Sequence, residues 1–325
     1  MPEGRRLTLA ETARAFREKD RFLAVPHVDP DPDTLGSAVG LALIAAKLGK
    51  TARVYTPEPV PFDCRFLEDL FPIDHEPPSD LPRWHAVVLD CGDARRIHPA
   101  SQLPPVWLNI DHHLDNQGFA ELTWVEPQAA STAEMVARLG FELGVAFDAP
   151  LATALYAGML YDTRGFVIDK TNADTYRLAA RLVDAGANPA LVNRHLNEQL
   201  SASALRVMGM ALAQLQEDLD GRLVWTSITS AMLAAGGARL EETDLILSEL
   251  PKIARAEVWF LFKELPDGAT KVSIRSRGQV NAHTIARAFG GGGHRRVSGA
   301  RLEMPLPAAA ALMLAAARKA MRSQA

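Results

Sequence analysis

Arg21-Phe22-Leu23-Ala24-Val25-Pro26-His27-Val28-Asp29-Pro30-Asp31-Pro32-Asp33 is the stretch on which the fold turns. An apolar run closed by a proline reads as a buried strand, and the alternating acids and prolines behind it read as a polar turn. Residues 36–48 then carry apolar side chains all round, like a buried helix, and residues 52–55 form the next strand. Strand, helix and strand in that order make a βαβ unit with a parallel pair.

Outward from this unit the same grammar repeats. Thr8-Leu9-Ala10-Glu11 has the form of a capping box and opens a short helix in front of the first strand. Runs at 86–89 and 106–110 each end in an aspartate, which puts Asp90 and Asp111 at carboxyl ends of strands. In open parallel sheets that is where ligands bind. From 131 to about 217 the pattern is helical, with segments at 132–143, 151–161, 173–185 and 202–216. Asp218-Leu219-Asp220-Gly221 breaks the period, so the boundary is placed there: a first α/β domain over 1–217, a linker at 218–222 and a second domain over 223–325. In the second domain 223–228, 257–262, 271–276 and 298–302 read as strands, 281–289 and the tail from 307 as helices. Pro266-Asp267-Gly268 signals a hairpin.

Length and composition agree with this division. A chain of 325 residues suggests two domains with ample core and excludes a disulfide-built miniprotein. Its 35 basic and 39 acidic side chains leave a net charge of −4, so no global attraction to polyanions is present. Residues 1–20 contain no apolar secretory core, and the longest apolar stretch, 308–317, falls short of the ~20 residues a membrane span needs. Cys64 and Cys91 lack C-x-x-C spacing. They read as core thiols of a soluble protein in a reducing cytoplasm.

Five features carry chemistry. Along the turn, alternation places His27, Asp29, Asp31 and Asp33 on one side, a concentration of carboxylates that repels itself unless a cation neutralises it. A mixed imidazole and carboxylate set suits Mn²⁺ or a similar borderline metal. Taken alone, an Asp/Pro-rich surface turn is an equal reading. The second and third features are Asp90 and the group Asp111-His112-His113; either could be mere capping or surface polarity, but neighbouring strands would bring them to one rim with the first cluster. The fourth is Asp162 in Tyr161-Asp162-Thr163, at a helix carboxyl end where a carboxylate opposes the macrodipole unless something positive compensates. The fifth is Gly290-Gly291-Gly292-Gly293-His294, whose glycines allow backbone N–H groups close to an anion. Between 271 and 301 lie seven Lys or Arg residues and no acid, which reads as a phosphate-recognition surface, with a solvated basic face as the alternative.

Together His27-x-x-x-Asp31-x-Asp33, Asp90, Asp111-His112-His113, Asp162-Thr163 and the distant Gly290-to-His294 run resemble the DHH/DHHA1 phosphoesterase superfamily, over nearly the whole chain and in the family's order. Length, the absence of extra domains and Lys271-Val272-Ser273-Ile274-Arg275-Ser276 make it look like the nanoRNase branch. The resemblance implies an N-terminal DHH metal-binding catalytic domain and a smaller α/β DHHA1 substrate-binding domain. It implies two Mn²⁺ ions, with Mg²⁺ or Co²⁺ as substitutes: His27, Asp31 and Asp90 on one, Asp33, Asp90, His112 and Asp162 on the other. His113 would contact the scissile phosphate and Asp111 would orient the histidine pair. Arg275, Ser276, Gly291, Gly292, Gly293 and His294 would grip the substrate elsewhere.

The substrates so implied are short single-stranded RNA or DNA, dinucleotides and 3′-phosphoadenosine 5′-phosphate (pAp), with no membrane partner; members of the branch often form homodimers. A RecJ-like single-strand exonuclease or a soluble cyclic-dinucleotide phosphodiesterase keeps the same metals with another substrate. A non-catalytic nucleotide-binding module is disfavoured because every expected ligand is present. Four departures from the family pattern stand out: Asp29 for an amide, Pro32 for a glycine, Arg164-Gly165-Phe166 where a glycine usually comes first, and Val297 for an alanine before Ser298-Gly299.

Overall fold

The computed structural model describes residues 4–98, 102–198, 200–243, 246–293 and 295–322. Contacts divide the chain into two compact units, Met1–Gln199 and Leu200–Ala325.

The first unit runs β1 (Arg5–Arg6), α1 (Leu9–Arg17), β2 (Arg21–Val25), α2 (Pro32–Lys47), β3 (Thr51–Tyr55), β4 (Ile73–Asp74), β5 (His85–Leu89), β6 (Val106–Asp111), β7 (Leu122–Val125), α3 (Thr132–Glu142), α4 (Ala149–Asp162), α5 (Ala173–Asp184) and α6 (Pro189–Asn197). Its seven strands lie in the order β1-β7-β6-β5-β2-β3-β4, and every pairing is parallel. The chain leaves β2 toward β3 and β4, then returns to the other side of β2 as β5. The gap between β2 and β5 is therefore the switch point at which such sheets bind ligands.

Thr8 caps α1 with the reciprocal Glu11 bonds expected of a capping box. At the next helix Asp31 is the cap, its carboxylate accepting from the Asp33 and Thr34 amides, each at 3.0 Å. Pro32 is thus the first residue of α2, a position where a fixed φ and a missing N–H cost nothing. The departure from glycine is absorbed by helix geometry. Helix α2 is buried along most of its length and belongs to the main core with α3, α4 and the stacked Phe16 and Phe22 rings, 4.0 Å apart. Two glycines permit its close approach to α4. A Cβ on Gly36 would lie 2.5 Å from the Ala154 carbonyl oxygen, and one on Gly158 would meet Asp33 Oδ1 at 2.7 Å.

The second unit runs α7 (Ala202–Ala213), β8 (Gln216–Asp218), β9 (Leu223–Ile228), α8 (Ser230–Gly236), α9 (Ile246–Glu249), β10 (Val258–Glu264), β11 (Thr270–Ser276), α10 (Ala282–Arg287), β12 (Gly292–Gly293), β13 (Val297–Leu302) and α11 (Leu306–Arg322). Its six strands are ordered β12-β13-β11-β10-β9-β8. Only β9 and β10 pair in parallel; β10 and β11 form the hairpin read from Pro266-Asp267-Gly268. The unit division precedes the boundary drawn at 217, for a reason sequence periodicity hides. Helix α7 buries Val207 and Ala211 against Val224 and Ile228 of β9, so it belongs to the second core. Residues 218–221, which the sequence offers as a linker or a tight connection, form a tight connection inside that sheet: β8 pairs antiparallel with β9, Asp218 opposite Leu223, while Leu219, Asp220 and Gly221 adopt left-handed φ of 53°, 57° and 78°.

Candidate metal centre

Register builds the site. Val25 pairs with Val88, and Leu89 with Ile110. Two residues beyond the first pair stand His27 and Asp90, and one residue beyond the second stand Asp90 and Asp111. The three residues thus line one rim of the sheet. Asp90 adopts φ 57°, a left-handed conformation costing roughly 1–2 kcal/mol in an L residue, and its amide donates to the Ile110 carbonyl at 2.9 Å. Strain of that kind persists where surrounding bonds impose it.

The carboxylate so placed faces two ways. Asp90 Oδ2 is 3.6 Å from His27 Nε2, and Oδ1 is 3.5 Å from His112 Nε2. His27 Nε2 also lies 3.8 Å from Asp31 Oδ2, and His112 Nε2 lies 3.3 Å from Asp162 Oδ2. Three sets of donor atoms are close enough together to hold an ion: His27, Asp31 and Asp90; Asp33, His112 and Asp162; Asp90, His112 and His113.

Each histidine is aimed by its other nitrogen. His27 Nδ1 donates to the Val28 carbonyl at 2.8 Å and His112 Nδ1 to the Ala129 carbonyl at 3.1 Å. That leaves Nε2 of both rings turned toward the carboxylates, where a bound cation would take its lone pair, the Nδ1–H to a carbonyl being the usual second contact of a metal-bound imidazole. His113 Nδ1 meets Asp111 Oδ1 at 2.6 Å, and Asp111 Oδ2 accepts from Asn116. The acids are held by neutral donors. Asp33 is fully buried, and its two oxygens accept from the first amides of α3, Thr132 at 2.8 Å and Ala133 at 2.9 Å. Thr132 Oγ1 donates to Asp90 Oδ1 at 2.9 Å.

Charge balance shows what the cluster wants. Burial first, then the Asp90, Asp162 and Asp31 charges, drive the Asp33 carboxyl well above its usual range. Burial, opposed by His112 but helped by Asp90 and Asp31, pushes Asp162 up to about 6. For His27, burial works downward, yet Asp31 and Asp90 win and raise it to about 10. His113 is likewise lifted to about 9, by Asp111 and Asp90 against burial. The histidines hold Asp90 in its charged form, but no Lys or Arg among the described residues forms an ion pair with Asp31, Asp33, Asp90 or Asp162, so the mutual repulsion at Asp33 and Asp162 is left uncompensated. The nitrogen and oxygen donor set fits a divalent cation, which would relieve that repulsion.

All six residues read as metal ligands thus converge, with Asp111 and His113 beside them. Asp29 does not join them. It is exposed, has φ 55° and spends its amide on Glu58 Oε2 at 2.7 Å. The alternation expected of an extended turn fails because Asp31 caps a helix that already contains Asp33. Thr34 and Thr132 escaped the sequence reading. Thr34 Oγ1 accepts from the His27 amide at 3.3 Å and donates to the Leu89 carbonyl at 3.0 Å, tying the two strand ends together. Ser131-Thr132 at the head of a helix was the available signal, but no local pattern tells which acid a helix start will face.

In the second unit Arg275 stands half-buried on β11, opposite Val297, with Nη1 3.2 Å from its neighbour's carbonyl, that of Ile274. Ser276 is buried, and its hydroxyl lies 2.9 Å from the Val280 carbonyl, so it stands behind the surface. Gly292 and Gly293 pair with Gly299 and Ser298 as a short edge strand. Gly291 donates to the Ala286 carbonyl, and a Cβ there would lie 2.2 Å from the Gly299 oxygen. The glycines are therefore needed for close backbone packing as well as for any anion. His294 lies outside the described residues.

Residues 21–159 match the DHH family, N-terminal domain, and residues 228–323 match the DHHA1 domain. The Thermus thermophilus bifunctional oligoribonuclease and PAP phosphatase NrnA is 34% identical over 281 residues, covering 85% of this chain and 82% of its own. This chain belongs to the DHH/DHHA1 phosphoesterase family. It is a family enzyme of the NrnA-like branch. The Bacillus subtilis relative of the same description is 28% identical over 90% of this chain and 92% of its own. An exopolyphosphatase-related protein from Bacteroides fragilis has the same family fold, with a TM-score of 0.85 at 24% identity over 96% of this chain and 95% of its own. No described helix is long and apolar enough to cross a membrane.

Proposed function

We propose that this phosphoesterase uses two Mn²⁺ ions to degrade short oligonucleotides, pApA- and pGpG-type dinucleotides included, to mononucleotides, and to dephosphorylate pAp. The observation that carries the reading is the single carboxylate of Asp90, whose two oxygens point to separate donor groups, one around His27 and one around His112. The relatives named as oligoribonuclease and PAP phosphatase over most of their length support the substrate class.

In this reading His27, Asp31 and Asp90 hold one ion, and Asp33, Asp90, His112 and Asp162 hold the other. A bound pair supplies a water of lowered pKa and a clamp on the attacked phosphate. The chain's own groups do the rest. Asp111 fixes the His113 ring through Nδ1, so that its remaining nitrogen is presented to the phosphate or to the departing oxygen. Thr132 and the start of α3 hold Asp33 and Asp90 in place without adding charge. Arg275 and the loop from Gly291 to His294 bind substrate away from the metals. Cytoplasmic residence and pairing of two copies belong to the same proposal; the free, buried Cys64 and Cys91 accord with a reducing compartment.

The test is a length series. Purified protein with Mn²⁺ is given 5′-labelled oligoribonucleotides from dimer upward, alongside pAp. Fastest turnover on the shortest strands, with release of phosphate from pAp, is the expected outcome. A rate that climbs with strand length would replace this reading with the RecJ-like one.

A further inference from the structure

Arg96 stands at the metal centre without a carboxylate of its own. Residues Ala94–Arg96 form a single 3-10 turn behind Asp90, capped by Asp93, which accepts from the Arg95 amide at 2.9 Å. The same carboxylate pairs with the Arg95 guanidinium and keeps it at the exposed rim. Arg96 is half-buried and lies against His27 instead. Its carbonyl accepts from the Val28 amide at 2.8 Å, which locks the turn to the loop that carries the histidine.

The contact with His27 involves one guanidinium nitrogen only. Arg96 Nη2 is 3.0 Å from His27 Nδ1 and 3.4 Å from Nε2. Nδ1 already gives its hydrogen to the Val28 carbonyl, so it has no lone pair to offer, and Nε2 faces Asp31 and Asp90. Among the described residues no carboxylate lies within ion-pair distance of Arg96. A guanidinium carries five N–H donors in a rigid fork matched to phosphate oxygens. Here that fork is anchored and permanently charged, with only Nη2 set against the His27 ring, at the edge of the site proposed to take phosphate esters.

We propose that Arg96 binds the non-bridging oxygens of the phosphoryl group under attack. It donates hydrogen bonds to those oxygens and gives up no proton. Its fixed charge counts most as the bond to the departing oxygen breaks. The proposal rests on the reading of this cluster as the hydrolytic centre.

Wild-type protein, Arg96→Ala, Arg96→Lys and Arg95→Ala are compared on a diribonucleotide and on pAp at saturating Mn²⁺, with Mn²⁺ uptake measured by calorimetry. Removing one such donor should lower kcat by about 10²–10³-fold, while Mn²⁺ stoichiometry and the melting curve stay those of the wild type. Lysine should recover only part of the loss, since a point charge lacks the fork. Added guanidinium should raise the rate of Arg96→Ala and leave Arg95→Ala, itself fully active, unchanged. Full activity of Arg96→Ala, a loss of Mn²⁺ binding in it, or no rescue by guanidinium would each overturn the assignment. An inactive wild type would instead overturn the reading of the cluster, before Arg96 is in question.

Discussion

The two sheets of this protein use charge in opposite ways. In the parallel sheet, acids are buried and held by neutral donors: two amides of α3 for Asp33 and a threonine hydroxyl for Asp90. In the mixed sheet, cations stand on an open strand face, and several are already occupied. Arg301 is paired with Asp267 and Glu303, and Arg277 donates to the carbonyls of Ile253 and Ala254. A run of one sign in sequence does not remain one sign in space, because register and turns bring in acids from outside the run. The buried acids have no Lys or Arg partner among the described residues, only the histidines that share the cluster. A cation from solution would relieve the repulsion that remains, and that makes their cluster the more sharply defined site.

The sharpest test of this contrast sets one residue from each sheet side by side. Asp90→Asn should lower hydrolysis on the order of 10³-fold, since it removes several kcal/mol of charge stabilisation; Arg275→Ala should raise KM by about tenfold, the loss of one charged hydrogen bond. Steady-state kinetics with metal titration measures both. Equal effects on kcat would erase the distinction between the two regions.

Packing should matter almost as much as the ligands. Gly158→Ala places a methyl 2.7 Å from Asp33 Oδ1 and 2.6 Å from the Ala133 side chain. Displacing a ligand by a fraction of an ångström should cost up to about 10²-fold in rate, with about 1–3 kcal/mol of stability lost to overpacking. In the second unit, Gly209→Ala meets nothing within 4 Å and lies inside α7, so it should leave the rate unchanged and add about 0.5–1 kcal/mol of stability.

Acidity gives a graded effect. His27, raised to about 10 from 6.5, carries a proton at neutral pH in the metal-free protein. A cation must displace it, so affinity for Mn²⁺ should rise with pH, by about tenfold per unit for one proton released. Calorimetry in buffers of different ionisation enthalpy counts that proton. The sign for folding is the reverse. A raised folded-state value contributes stability that is complete below pH 6.5 and is lost as pH passes about 10. Pairing with His27 thus supports the empty fold at low pH while competing with metal there.

The smallest effect concerns the turn after Asp162. Arg164, Gly165 and Phe166 have φ of 52°, 77° and 67° in succession, held by the Phe166 amide on Thr163 Oγ1 and by the Tyr176 hydroxyl on the Phe166 carbonyl. Arg164→Gly should relieve about 1 kcal/mol of left-handed strain, offset in part by glycine's entropy. A small rise in melting temperature is the expected readout, with activity unchanged.

Much of the first unit was legible before any coordinates. Apolar runs at β2, β5 and β6 each end in a group capable of binding metal, and strand ends are easy to read because a buried parallel strand is continuously apolar. β1, β4, β7 and α6 were not read, being very short or too weakly patterned to stand out. The unit division was missed because helical periodicity in α7 reports a helix and an apolar face, not which core that face enters.

The residue types of the centre and their order along the strand ends were therefore determined by sequence alone, since those follow from side-chain chemistry and from the period of apolar residues. Which of these side chains lie together, why Asp29 turns away, and that Thr132 and Arg96 stand beside them were decided only by tertiary structure. Those depend on register between strands and on the glycine-permitted approach of α4 to α2, contacts between residues far apart in the chain that no local pattern encodes.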